Sequence, residues 1–182
     1  MEKEINHHNS SPQPQALALD AVDAALLAQL QTDASLSNVA LAERLHLSPA
    51  TCLRRVKRLH DWGLIERQVA ILNMDALAQG LGHGLTAVVE VSLDQQHQEA
   101  LAAFEAQAVA DTAVQQCYRV SPGPDFVLIV TVRDMPAYQA LSHRLFTTHA
   151  NVRNVKAFFS IKRSKFSSQL PLPPLSANLL KK

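Results

Sequence analysis

The chain has 182 residues, 47% of them hydrophobic, and 17 Lys and Arg stand against 16 Asp and Glu for a formal net charge of +1. Such an apolar fraction excludes wholesale disorder, and the length suits one ordinary domain or two small ones. No apolar run approaches the roughly 20 residues that cross a bilayer, the opening MEKEINHHNSSPQPQ lacks a signal-peptide core, and Cys52 and Cys117 lie far apart with no CxxC.

Residues 1–16 are polar, carry Pro12 and Pro14, and read as a flexible tail. From there Leu19, Val22, Leu26, Leu27 and Leu30 recur at spacings of three and four, the signature of a helix, with Asp20 as its N-cap. Ser37 caps a second helix with Leu41, Ala42 and Leu45 on one face. After only His46 and Leu47, Ser48-Pro49 opens a third helix. Serine is a good N-cap, and proline suits the first helical position because its missing N–H costs nothing there. Cys52, Val56 and Leu59 form the inner face, and Gly63 is the natural stop. Ile65, Val69 and Ile71 then fall at alternating positions and predict a strand over 64–72. The three glycines of NMDALAQGLGHG mark loosened backbone and a seam near Gly80 to Gly84.

The second half has another rhythm. Leu85, Ala87, Val89, Val91 and Leu93 alternate as in a strand, and Leu101, Phe104 and Ala108 return to helical spacing. A short strand, Val114 to Val120, leads through SPGP into the nearly all-apolar Asp125 to Val132. Asp134 and Pro136 begin a helix with Tyr138, Leu141 and Leu145 on one side, and Val152 to Ile161 is a last strand. The order β-α-β-β-α-β is the ferredoxin-like arrangement: an antiparallel sheet with two helices on one face. Its other face is expected to carry Val88, Val130 and Phe158, and hence to meet a partner sheet.

The sharpest local signal is SPATCLRRVKRLHDWG. On a helical wheel Ala50, Thr51, Arg54, Lys57 and Arg58 point away from the core, with Arg55 at the flank, and no carboxylate lies between Thr51 and His60. Such a face neutralises phosphates, and arginine also binds guanine edges bidentately in the major groove. Charge runs alone usually mean a solvated surface. Here a short inter-helix turn, a Ser-Pro start and outward arginines coincide, and they favour a helix-turn-helix that binds double-stranded DNA, with a small wing around Arg67. The DNA-binding set is Ser48, Pro49, Ala50, Thr51, Arg54, Arg55, Lys57 and Arg58.

These residues resemble the Lrp/AsnC family, the leucine-responsive regulators. The opening Leu19, Asp20 and Asp23, the run Ala42, Glu43, Arg44, the triplet Leu47, Ser48, Pro49, and Cys52 to Leu59 carry the likeness in the first half. GLTAVVEVSL, CYRV, Asp125, Phe126 and Leu128, and VRDMPAY resemble the family's RAM domain in the second, and the likeness spans about residues 17 to 172. It implies a transcriptional regulator that forms homodimers through its RAM sheets. It further implies assembly, often into octamers, and binding of a free amino acid between dimers. The implied fold is α+β: an N-terminal winged helix-turn-helix joined to a C-terminal βαββαβ ferredoxin-like (RAM) domain. The expected organisation is tail 1–16, DNA-binding domain 17–66, linker strand and hinge 67–84, RAM domain 85–163 and extended tail 164–182.

The implied effector set is Tyr118, Ser121, Pro122, Gly123 and Asp125, in and beside the loop joining two RAM strands. The family's Ser/Thr-Gly-x-x-Asp loop reads here Ser121-Pro122-Gly123-Pro124-Asp125, and the prolines restrict the backbone and remove N–H donors. An altered effector site and a stiff strand-joining turn with Asp125 as a local cap are therefore both open. His46 stands where a glycine is common and must tolerate the left-handed region. Trp62 packs on the first helix or meets a partner. No nucleophile or phosphate loop accompanies Asp125, Asp134 and Glu90, and His143 and His149 are poorly spaced for a metal, so neither catalysis, metal nor cofactor is expected. An architectural, nucleoid-type DNA binder is the alternative reading; an enzyme regulatory subunit is a more distant one. The cytoplasm is the expected location.

Overall fold

In the computed structural model, residues 18–81 and 84–172 are described. The chain forms two compact units. Of the described residues, the first comprises 18–69 and 167–172, the second 70–81 and 84–166.

Three helices build the first unit: α1 (Ala21–Thr32), α2 (Asn38–Arg44) and α3 (Pro49–Asp61). Each starts on a side-chain cap that satisfies an otherwise orphaned amide. Asp20 accepts from the Asp23 amide while Asp23 reaches back to the Asp20 amide, a reciprocal capping box. Ser37 accepts from Ala40, and Ser48 from Thr51 with Pro49 following it. Gly63, at φ +70°, closes α3 in the left-handed region. His46 makes the turn between α2 and α3 at φ +54°. Leu26, Leu27, Leu41, Ala42, Cys52 and Leu59 form the buried centre.

The segment read as a strand and wing, 64–72, belongs to no helix or sheet among the described residues. Its alternation was the ground for predicting a strand, yet Val69, Ile71 and Leu72 are exposed and no neighbouring backbone accepts their ladder. The glycine-containing seam also differs. Met74–Leu81 is a helix, α4, whose first amides at Asp75 and Ala76 donate to the Asn73 side chain. An Asx cap here outweighs the helix cost of a single glycine, about 1 kcal/mol.

The second unit continues with β1 (Leu85–Leu93), α5 (Gln98–Ala110), β2 (Val114–Arg119), β3 (Phe126–Val132), α6 (Met135–Ser142) and β4 (Val152–Phe159). A π-helical turn, His143–Thr147, extends α6. The sheet order is β2-β3-β1-β4, antiparallel throughout, as the ferredoxin-like reading requires. Ala87, Val89, Val91 and Leu93 of β1 and Phe126, Leu128, Val130 and Val132 of β3 meet Phe104, Ala108, Tyr138 and Leu141 from the helices. Val130 is therefore a core residue, not part of the open face. Side chains alternate along a strand, so its parity with Phe126 and Leu128 decides its side. The open face instead carries Val88 and its cross-strand partners Ile129 and Phe158. Val88 and Phe158 are exposed, and Ile129 is half-buried.

Beyond β4 the chain returns to the first unit. The Gln31 carboxamide grips the Leu170 backbone at both ends, accepting from its N–H at 2.6 Å and donating to its carbonyl at 3.4 Å. Gln169 donates to the Gln31 carbonyl and the Thr32 hydroxyl, and Leu172 packs on the apolar centre. This stretch of the expected extended tail is thus docked on α1. The expected tail over 1–16 lies outside the described residues, as do residues 173–182.

Candidate nucleic-acid interface

The sequence places α3 outward through its Ser-Pro start, and the three-helix packing decides which of its side chains face solvent. Cys52 and Leu59 are fully buried. Ala50, Leu53, Arg54 and Lys57 are exposed at spacings of three and four, which aligns them as one stripe. Lys57 bridges to Asp61 at 2.7 Å, an exposed i,i+4 pair worth little to stability. No ion pair or hydrogen bond engages the Arg54 side chain among the described residues.

Arg58 departs from the outward position the wheel gives it, while Arg55, read at the flank, lies between the stripe and α1. One terminal nitrogen of Arg58 meets both carboxylate oxygens of Asp23, at 2.8 and 2.6 Å. Arg55 Nη1 bridges Asp20 at 2.7 Å and Asp23 at 2.9 Å. Asp23 is completely buried, the one charged side chain so enclosed among the described residues. A buried carboxylate is tolerable only when cations and N–H donors surround it. The two arginines therefore turn toward α1 rather than lying free on the outer face. Burial pushes the Asp20 carboxyl up, but the Asp23 amide and the Arg55 guanidinium outweigh it and hold the group below its ordinary range. Trp62, which could have packed on α1, lies under the Arg58 guanidinium, 4.7 Å from ring centroid to carbon, and holds that arginine from the other side.

Thr51 is half-buried, and its hydroxyl accepts from Ser48 at 2.8 Å. Ser48 and Pro49 start the helix, and Asn38 donates to the Pro49 carbonyl, fixing α2 against the start of α3. Of the eight residues nominated from sequence, Ala50, Arg54 and Lys57 share the outward stripe, Ser48, Pro49 and Thr51 form its capped start, and Arg55 and Arg58 brace it. Sequence reasoning missed Leu53, 60% exposed within that stripe, and the acceptor role of Asp23. The signal was present: Leu53 sits three residues after Ala50 and four before Lys57.

In the second unit the nominated effector residues separate. Tyr118 is exposed on the open sheet face, paired across from Val127, and its hydroxyl donates to Gln116. Ser121, Pro122 and Gly123 lie exposed in the β2–β3 turn, with Gly123 at φ +122°. Asp125 accepts from the Leu93 amide at 2.7 Å and from Gln96 Nε2 at 3.3 Å, so its carboxylate fastens the turn to the end of β1. A separate open cleft of about 290 Å³ is lined by Met74, Asp75, Ala78, Thr86, Lys162 and Arg163, among others.

A braced recognition-type helix with an outward cationic stripe, carried in one chain with a ferredoxin-like unit, defines a DNA-binding regulator. Comparison with known proteins agrees in both halves. Residues 19–60 match the AsnC-type helix-turn-helix domain, and residues 86–170 the Lrp/AsnC ligand binding domain. The chain is 34% identical to a leucine-responsive regulatory protein of Rhizobium meliloti, over 85% of this chain and 96% of that one. It is 32% identical to the DNA-binding transcriptional activator DecR of Escherichia coli, over 85% and 99%. Among solved structures, an AsnC family transcriptional regulator from Agrobacterium tumefaciens superposes with a TM-score of 0.77 at 29% identity, covering 84% of this chain and 97% of that one. A transcriptional regulator from Neisseria meningitidis in complex with L-Met gives 0.76 at 31%, covering 84% and 96%. The chain belongs to the Lrp/AsnC family of DNA-binding transcriptional regulators. No helix among the described residues is long and apolar enough to cross a membrane.

Proposed function

We propose that the protein is a homodimeric cytoplasmic regulator, without catalytic activity of its own, that reads two-fold-symmetric DNA sites with α3. The observation that carries this reading is the outward stripe of Ala50, Arg54 and Lys57, raised from a capped start at Ser48 and Pro49. Arg54 reaches base edges, Lys57 neutralises phosphate, and Ser48 and Thr51 hold the helix start against the backbone. Arg55 and Arg58 act indirectly, by holding α3 on α1 through Asp23. The exposed Val88, Phe158 and Tyr118 support dimerisation through the open sheet face, because an apolar sheet surface gains by leaving water. Dimers assembling further, up to octamers, fit the same family reading.

Control by a small amino acid is the second part of the proposal. The L-Met complex of the Neisseria relative supports it. The pocket would gather Tyr118, Ser121, Pro122, Gly123 and Asp125 between copies of the chain. A specific observation favours effector-independent binding instead: Asp125 is already committed to Leu93 and Gln96.

Footprinting of genomic fragments together with gel filtration tests the main reading. Discrete protected sites of two-fold symmetry and a dimer or its multiples are expected. Continuous coverage without preferred sites would show an architectural binder. Phe158→Glu is expected to dissociate the dimer and weaken operator binding together. A thermal-shift screen of the amino acids separates the two modes of control, with a rise in melting temperature for at least one amino acid expected under effector control.

A further inference from the structure

We infer that Leu53 is a base-reading residue, seating its methyl groups against the 5-methyl of a thymine in the major groove. The inference rests on the reading of α3 as the recognition helix and adds to it a residue and the chemical group it selects. Leu53 is 60% exposed and takes no part in the apolar centre of its unit. Its neighbours on the outward stripe are Ala50, Arg54 and Lys57. Arg54 and Lys57 beside it carry the stripe toward a polyanion, so Leu53 is delivered to the DNA surface rather than to an apolar protein face. It lies in the second turn after the Ser48 cap, in the half of the helix that contacts base edges in helix-turn-helix proteins.

The major groove offers one apolar feature, the thymine methyl, and small or medium apolar side chains recognise it. Polar base edges would be left unpaired against leucine, which disfavours guanine and cytosine at the same place. Thr51, another methyl-bearing residue on α3, has its hydroxyl held by Ser48 and is half-buried. Arg55 and Arg58 are held by Asp20 and Asp23. Leu53 and Ala50 therefore remain as the apolar readers, with Arg54 beside them for a guanine.

The test uses the full-length protein and a duplex it selects from a random-sequence pool. Each thymine of that duplex is replaced in turn by deoxyuridine, which removes only the methyl. At one position in each half-site the wild type is expected to lose about fourfold per methyl contact. Leu53→Ala is expected to bind the unmodified site more weakly and to be indifferent to that replacement, while Leu53→Met keeps part of the response. Circular dichroism and gel filtration establish that both variants fold and assemble as the wild type does. Equal deoxyuridine sensitivity in wild type and Leu53→Ala overturns the inference, as does the absence of any sensitive thymine in the wild type. Altered assembly of Leu53→Ala with unchanged base preference overturns it too, and points to a protein contact. If the wild type selects no site at all, or Arg54→Ala selects the same site with the same affinity, the recognition-helix reading fails instead.

Discussion

In the first unit six apolar side chains and one carboxylate are buried among the described residues, whereas in the second fourteen apolar side chains are buried and no charged one. The difference follows from size and shape. Three short helices enclose too little apolar surface to fix their own packing, since small domains bury a smaller fraction of their chain. The first unit therefore adds directional contacts: Asp23 between two arginines, Trp62 under Arg58, and the returning residues around Leu170. The second unit layers a four-stranded sheet on two helices and relies chiefly on close packing, its ion pairs such as Arg144–Asp111 lying outside the core. One unit is held by geometry-specific polar contacts and the other by volume, so they should fail differently.

The largest effect is expected at Asp23. Asp23→Ala leaves Arg58 without its carboxylate and Arg55 with Asp20 alone, and breaking a buried pair costs about 3–5 kcal/mol. Urea unfolding should show the first unit lost at lower denaturant and DNA binding lost with it, while the second unit keeps its transition. Phe126→Ala removes a fully buried ring tilted against Phe104, centroids 4.9 Å apart, and should lower the stability of the second unit by about 3–4 kcal/mol. Its first-unit transition should stay where it was; a joint shift of both would dissolve the comparison.

Ending the chain after Phe166 removes the Gln31–Leu170 clasp and Leu172. A partly buried leucine and four exposed hydrogen bonds, counting the two from Gln169, together suggest about 1–2 kcal/mol, confined to the first unit. His46→Gly relieves a non-glycine residue at φ +54° and should raise the first-unit midpoint by about 0.5 kcal/mol, the strain relief being offset in part by glycine's greater chain entropy.

Acid should separate the units least. Asp20 lies below its ordinary range because the Asp23 amide and Arg55 outweigh the effect of burial, and Asp111 does so chiefly through Arg144. Both folded carboxyls are depressed, so each contributes stability that is full above the unfolded value near 3.9 and is lost as pH falls through the lower folded value. A melting-temperature profile flat from neutrality to about pH 5 and falling below about pH 4 is expected for both units.

Much of this was legible in the sequence because the relevant forces are local. The caps at Asp20, Ser37 and Ser48, the stop at Gly63, the alternation of β1 and the apolar run of β3 are set by residues within a few positions of one another. What was not legible depends on tertiary neighbours. A wheel of α3 alone puts Arg58 outside, and only the approach of Asp23, 35 residues earlier, turns it inward. Val130 was assigned to the wrong face although its parity with Phe126 already decided the matter. The strand predicted over 64–72 has the right alternation and lacks a partner, since strand patterning states a preference that only a neighbouring backbone can fulfil. At the β2–β3 turn, the sequence leaves Asp125 open between an effector ligand and a local cap. Its actual donors, Leu93 and Gln96, lie about thirty residues away in sequence, and no local pattern announces them.

The division of labour along α3 is the central claim, and paired measurements on Arg54→Ala and Arg55→Ala test it most directly. Operator affinity and urea unfolding are measured for each. Arg54→Ala is expected to lose at least about tenfold in affinity, the scale of one good base contact, with an unchanged unfolding midpoint. Arg55→Ala is expected to unfold the first unit at lower denaturant and to lose affinity only through that loss. Wild-type affinity in Arg54→Ala, or weakened binding by Arg55→Ala with a wild-type midpoint, would contradict the account.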